Sequence, residues 1–331
     1  MPVQTFTSLN DPLAIQGTQA VGINAAGDIV GFYATATSIN GFLLSGGAYT
    51  TIVDPLDTKH LTQPLGINTA GQIVGRYDTA SGDHGFLLSG GTYTTIDDPS
   101  ATNGTQAAAI NDRGQIVGSY QDSRGLTHGF LLSGGVYTTL DDSAGAQASN
   151  TVAIGINNAG QIVGTFHNAS GQHGFLLSGG IYTTLDDPLS TVHHTVATGI
   201  NDAGQIVGFY FDSAGAHGFL YSGGIFTTID NPSATAGTEA FGINDNGQIV
   251  GFFGDGSGGH GFLETTVPNP AAPPGTTTDM VLRAANTSPI AGHYEIYDIG
   301  NNAILAGYSL GQVGTDWGFV TLGGFQRRRH Q

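Results

Sequence analysis

The stretch that decides the fold is Gly199-Ile200-Asn201-Asp202-Ala203-Gly204-Gln205-Ile206-Val207-Gly208. With small departures it occurs six times, its Ile falling at Ile23, Ile67, Ile110, Ile156, Ile200 and Ile243, at spacings of 44, 43, 46, 44 and 43. About 18 residues later a second phrase follows, His84-Gly85-Phe86-Leu87-Leu88-Ser89-Gly90-Gly91 in the second copy. Each unit holds four short runs rich in Ile, Val, Phe, Tyr and Thr, separated by Asn/Gly or Gly-Gly turns. In the second unit these are 62–68, 72–79, 85–89 and 93–97. Four strands per ~44 residues is the pattern of a propeller blade. No stretch carries a sustained helical period.

Working outward, the sixth unit lacks its fourth strand, because Gly261-Phe262-Leu263 runs into Glu264-Thr265-Thr266 and then proline. The N-terminus supplies it: Gln4-Thr5-Phe6-Thr7-Ser8-Leu9-Asn10-Asp11-Pro12 matches the Tyr-Thr-Thr-Ile-Asp-Asp-Pro ending of other units. The reading is an all-β, six-bladed propeller over residues 1–267. Its repeats lie near 17–60, 61–103, 104–149, 150–194, 195–237 and 238–263, and 3–12 closes the ring so that no edge is left free. A Pro/Gly-rich linker (268–278), a small β module (279–325) and a basic tail (326–331) follow. In the module, 279–284, 293–299, 304–310 and 318–322 read as strands.

Composition excludes several functions. There are 54 Gly among 331 residues, about twice the usual share, as a turn-dense chain requires. No Cys is present, which removes thiol chemistry, thiolate metal sites and disulfides together. Twenty-five acids face eight bases, for a net charge of −17, and such a surface repels nucleic acid. No apolar run approaches the ~20 residues that span a bilayer, so membrane insertion is not expected. No signal peptide is visible at the N-terminus.

The phrases Gly199 to Gly208 and His84 to Leu88 resemble the bacterial "probable extracellular repeat, HAF family", whose members read His-Ala-Phe where this chain has His-Gly-Phe. The resemblance covers 17–263 and implies an exported or cell-surface bacterial propeller. It brings no activity or catalytic residue with it. Thr278-Asp279-Met280-Val281-Leu282-Arg283 and Tyr294-Glu295-Ile296-Tyr297-Asp298-Ile299 look like a C-terminal module of α-proteobacterial surface proteins with FG-GAP-type repeats. The Asp-rich calcium loop of such blades is missing there, so that resemblance implies no metal.

In a propeller, the turns between the first and second and between the third and fourth strands lie on one face of the disc. Here those turns are nearly invariant. The connections on the other face vary, as in 57–60, 143–150 and 189–194, and a ligand is expected there, near the axis. Thr18, Thr62, Thr105, Thr151, Thr195 and Thr238 form a structural ring at the start of the inner strands. The next position reads Gln19, Gln63, Gln106, Val152, Val196 and Glu239, polar on one side and apolar on the other. Together with His60, Asn103, Asn150, His193, His194 and the aromatic Phe241, these polar positions are the candidate ligand-binding residues for a glycan or small polar molecule. Neighbouring side chains on extended chain diverge, so His193 and His194 are not read as a metal pair.

His84, His128, His173, His217 and His260, with Asn40 in the sixth place, begin the third strands in separate blades. They are read as bonding a loop carboxylate or carbonyl in their own or the neighbouring blade. The Asp-Asp-Pro loops offer Asp97, Asp98, Asp141, Asp142, Asp186 and Asp187 either as calcium ligands or as turn starters whose carboxylates accept backbone N–H bonds. No other cofactor is implied. Catalysis needs a departure from symmetry, and no Gly-x-Ser-x-Gly elbow or phosphate loop occurs; Lys59 is the only Lys. Glu239, the one acid of the inner-strand ring, is the sole acid/base candidate. The favoured reading is a non-enzymatic extracellular or surface binding module. The rivals are a lyase or hydrolase using Glu239 with His60, His193 or His194, and a structural surface protein that self-associates through its C-terminal module.

Overall fold

The structure, a computed structural model, describes residues 3–141, 149–267, 277–283, 293–300 and 303–312. Six four-stranded sheets form the blades of a β-propeller. In the second blade the strands are Thr62–Ile67, Ile73–Thr79, Gly82–Ser89 and Thr92–Ile96, running as an antiparallel meander. The third strand begins three residues earlier than the sequence indicates, since Gly82 and Asp83 continue the ladder opposite Thr79 and Asp78. The sixth sheet has the order 3–9, 258–267, 249–255, 238–243. The first strand of the chain therefore completes the last blade.

The repeated phrases are explained by packing. Phe42, Phe86, Phe130, Phe175, Phe219 and Phe262 are fully buried, each burial being worth about 2–3 kcal/mol over exposure. Each sits opposite the Gly that ends the Gln-Ile-Val-Gly phrase, as Phe130 does opposite Gly118. A Cβ on Gly118 would collide with the carbonyl oxygen of Gln106 and press on the Phe130 ring. The core lies between blades rather than within them: Val74 and Ile96 of the second pack against Ile110, Ile116, Tyr120 and Phe130 of the third. Val250 of the sixth joins Ile23, Ile29 and Phe42 of the first, closing the circle.

By contact density the chain divides into residues 4–266 and residues 1–3 with 267–331. Within the second unit, Thr277–Arg283, His293–Gly300 and Ala303–Gln312 form an antiparallel three-stranded sheet. Three of the four strands read from the sequence thus appear, and 318–322 lies outside the described residues.

Candidate ligand-binding site

Every inner strand carries a bulge at the same place, between Ala20 and Gly22 in the first blade and between Ala240 and Gly242 in the sixth. A bulge re-aims a side chain, and here the bulged residues Val21, Leu65, Ala108, Ile154, Thr198 and Phe241 line an axial channel of about 170 Å3. The only hydroxyl among them, Thr198 Oγ1, donates to the carbonyls of Val207 and Ala240 at 3.1 and 2.9 Å. The channel is therefore apolar. Six isoleucines, Ile23 to Ile243 of the repeated phrase, line both this channel and a smaller recess of about 70 Å3 on the invariant face, and so stand between the two.

Around that recess the Asn of each phrase donates its Nδ2 to the backbone carbonyl of the next Asn: Asn24 to Asn68, Asn68 to Asn111, Asn111 to Asn157, Asn157 to Asn201, Asn201 to Asn244, and Asn244 back to Asn24. These Asn side chains are buried, and the ring is complete. The sequence displayed six identical Asn residues, but only closure of the disc reveals that they bond to one another.

On the variable face the Thr ring has the role expected. Thr18, Thr62, Thr105, Thr195 and Thr238 accept the backbone N–H of Asp11, Asp54, Asp98, Asp187 and Asn231 through Oγ1 at 3.0–3.2 Å. One position further, Gln19, Gln63, Gln106, Val152, Val196 and Glu239 lie two residues before the channel-lining residues and so share their side of the strand. Of all the ligand candidates, only Phe241 lines the channel itself.

The candidates instead fall into two groups. In blades two and three, Gln63 Oε1 accepts from Arg76 Nε, and Arg76 Nη1 and Gln106 Nε2 both donate to Asp83 Oδ2, at 3.1 and 2.9 Å. Asn103 lines a cavity beside Gln106 and Asp83. In blades five and six an aromatic track runs outward from the channel. Phe241 meets Phe209 edge-on at 6.2 Å, Phe209 meets Phe211 at 5.8 Å, and His194 lies 4.6 Å from Phe211. All four rings are partly exposed. Burial, and then the nearby His167, push the His194 pKa down. Burial pushes the Glu239 carboxyl up. No side chain among the described residues bonds to it, and none of the three candidate His residues is brought to it.

Three non-glycine residues among those described have left-handed backbone: His60 (φ 59°), Asn150 (φ 83°) and His193 (φ 50°). All three are ligand candidates, and all enter inner strands on the variable face. In the first, third and sixth blades Gly17, Gly104 and Gly237 have positive φ in the corresponding loop. Such backbone is uncommon for a side chain other than Gly and costs about 1–2 kcal/mol. Asn150 Oδ1 also accepts from the N–H of Thr127 at 3.3 Å.

The conspicuous His residues bond carboxylates, as expected. Nδ1 of His84, His128, His173 and His217 meets Asp97, Asp141, Asp186 and Asp230 at about 2.9–3.1 Å, and His260 meets Asn10 across the closure. Four of the rings stack on Tyr77, Tyr120, Phe166 and Tyr210. The pairs Asp97-Asp98 and Asp186-Asp187 are thus divided: the first Asp holds a His, and the second starts the turn. Asp98 Oδ1 accepts from Ser100 N–H and Asp187 Oδ1 from Leu189 N–H, both at 2.8 Å. Burial, opposed by that N–H, raises the pKa of Asp187. Asp142 lies outside the described residues. Among the described residues no three His, Asp or Glu side chains gather as a metal site.

Arg76, Asp83, Phe209 and Phe211 were not singled out in the sequence. Aligning the six repeats carries the missing signal: the Arg76 position reads Phe32, Arg76, Ser119, Thr165, Phe209 and Phe252, a column that the repeat does not fix.

No family model matches the chain, and no curated protein matches it. Solved structures do. A streptogramin B lyase is 14% identical over 80% of this chain and 98% of its own, with a TM-score of 0.50. AofleA from Arthrobotrys oligospora is 13% identical over 82% and 94%, also at 0.50. A six-bladed fungal lectin from Aleuria aurantia is 14% identical over 81% and 100%, at 0.47. At such identity the first two share the fold with this chain, and nothing finer follows from them.

Proposed function

We propose that this protein is a non-enzymatic binding module, and that its ligand is a glycan or small polar molecule held at the axial mouth on the variable face. The observation that carries the reading is the aromatic track Phe241–Phe209–Phe211–His194, which leads from an apolar channel to the rim. Rings of this kind offer a flat apolar platform, the predominant lining of a small-molecule site. The left-handed His60, Asn150 and His193 add support, because strained backbone persists where a side chain is needed. The resemblance to HAF repeats supports a place outside the cell or on its surface.

The test is a thermal-shift panel of oligosaccharides and small polar metabolites. A ligand at 100 times its Kd should add about 2.7 kcal/mol, and Phe209→Ala should remove that gain while the unliganded protein still melts cooperatively. A flat panel, or a gain indifferent to Phe209, sinks the proposal.

One observation favours a second reading, a lyase or hydrolase. Glu239 is a carboxyl raised by burial and free of side-chain partners among the described residues, the condition of a general acid. Turnover of any bound compound that disappears in Glu239→Gln, with binding retained, would establish it.

A further inference from the structure

The polar group in blades two and three surrounds a cavity of its own. It measures about 130 Å3 and is lined by Asp83, Asn103, Gln106, Ser119, Gln121 and Thr127 among others. Channel-lining residues are absent from its walls, so it is separate from the axial mouth.

The chemistry of the walls is specific. Asp83 is held rigid by two donors on one oxygen, Arg76 Nη1 and Gln106 Nε2, both on Oδ2. Its Oδ1 has no partner among the described residues and is left to accept a further bond. Arg76 also neutralises its charge at 3.1 Å, so the site does not call for a cation. Ser119 is 9% exposed, yet its hydroxyl bonds to no described residue. The hydroxyl of Thr127 and the amide of Gln121 are likewise unpartnered among the described residues. These groups line the cavity and are free to bond a ligand there.

None of this is a property of the repeat. The Asp83 position reads Ile39, Thr127, Gln172, Ala216 and Gly259 in the other blades, and Arg76 is the only basic residue within a strand of the ring among those described. Gly104 lets the backbone pass against Asp83, since a Cβ there would lie 3.0 Å from both Asp83 Cβ and its carbonyl oxygen.

We infer that this cavity is a second ligand site, for a neutral, polyhydroxylated six-membered ring of monosaccharide size. One fixed carboxylate oxygen, two hydroxyls and two amides can each donate or accept toward the hydroxyls of such a ring. A charged ligand would meet a pair already neutralised, and an apolar one would leave these groups unbonded.

The experiment is isothermal titration of the full chain with D-glucose, D-galactose and myo-inositol. At least one is expected to bind, and Ser119→Phe is expected to weaken it at least about tenfold, or ~1.4 kcal/mol. A Phe has precedent at this position in Phe32, Phe209 and Phe252, so the ring tolerates it. Thr127→Val, which keeps the shape and removes the hydroxyl, should weaken the same ligand about fivefold. The proposal is overturned if none of the three binds at about 10 mM, a Kd near the weak end of specific recognition, or if binding survives both substitutions. It is also overturned if Phe209→Ala abolishes binding that Ser119→Phe leaves intact, because the ring then sits at the axial mouth.

Discussion

The two faces of the disc are built from the same six repeats and have opposite characters. On one, Asn24, Asn68, Asn111, Asn157, Asn201 and Asn244 bond head to tail in a closed ring. Each Asn is both donor to one neighbour and, through its carbonyl, acceptor from the other. A change in one copy removes the bond its side chain donates to the next blade and leaves that buried carbonyl without its partner. On the other face, the residues entering the inner strands make different contacts in different copies. Gln63 bonds Arg76, Val196 is buried, Glu239 stands alone, and His60, Asn150 and His193 keep left-handed backbone. Uniformity marks the face that holds the ring together, and divergence marks the face where binding is proposed.

The contrast is broken most directly at Asn157. Asn157→Ala removes the bonds to Asn201 O and Gln161 and leaves buried partners unsatisfied, a loss of about 2–3 kcal/mol. In a domain of this size Tm should fall by roughly 5–10 °C, as calorimetry would record. A change below about 1 °C would mean the ring is ornamental.

Glu239→Gln should do the reverse on the other face. Burial raises the folded-state pKa of Glu239 above its ordinary 4.5. The stability tied to its protonated form is thus complete below pH 4.5 and is lost as pH rises through the folded value. The Gln variant should be more stable at pH 7, by about 0.5–2 kcal/mol, and should match the parent near pH 3. Denaturant midpoints at the two pH values decide it.

A smaller effect is expected of His193→Gly. Relief of the left-handed backbone and the added freedom of the unfolded chain nearly cancel, so stability should shift by less than about 1 kcal/mol in urea titration. If the side chain is kept for a ligand, binding should weaken while stability holds. The smallest effect is that of chelation. With Asp97, Asp141 and Asp186 on His residues and Asp98 and Asp187 in turns, EDTA should leave Tm unchanged, and a fall of several degrees would return calcium to these loops.

Much of this was legible before any coordinates. Six copies of Gly-Ile-Asn-x-x-Gly-Gln-Ile-Val-Gly gave blade number and strand order, because strand period and turn residues are local properties of the chain. That His84 bonds a loop carboxylate or carbonyl was legible too, but that the partner is Asp97 is seen only in the structure. The site was less so. Gln106, read as part of a ring about the axis, bonds Asp83 from the preceding blade. Phe209 and Phe211, unremarkable as strand residues, join Phe241 in one track.

By itself, then, the sequence determined the architecture: the repeat, its count and the closing strand, all consequences of interactions within a blade or of a pattern repeated between blades. Only the tertiary structure decided which residues look into the channel and which meet across it. The bulge in each inner strand turns Val21, Leu65, Ala108, Ile154, Thr198 and Phe241 inward, and the closure of six blades sets residues some 40 or more positions apart within bonding distance. The bulge depends on strand pairing within the blade and the Asn contacts on the blade alongside, neither of which the sequence of one repeat displays.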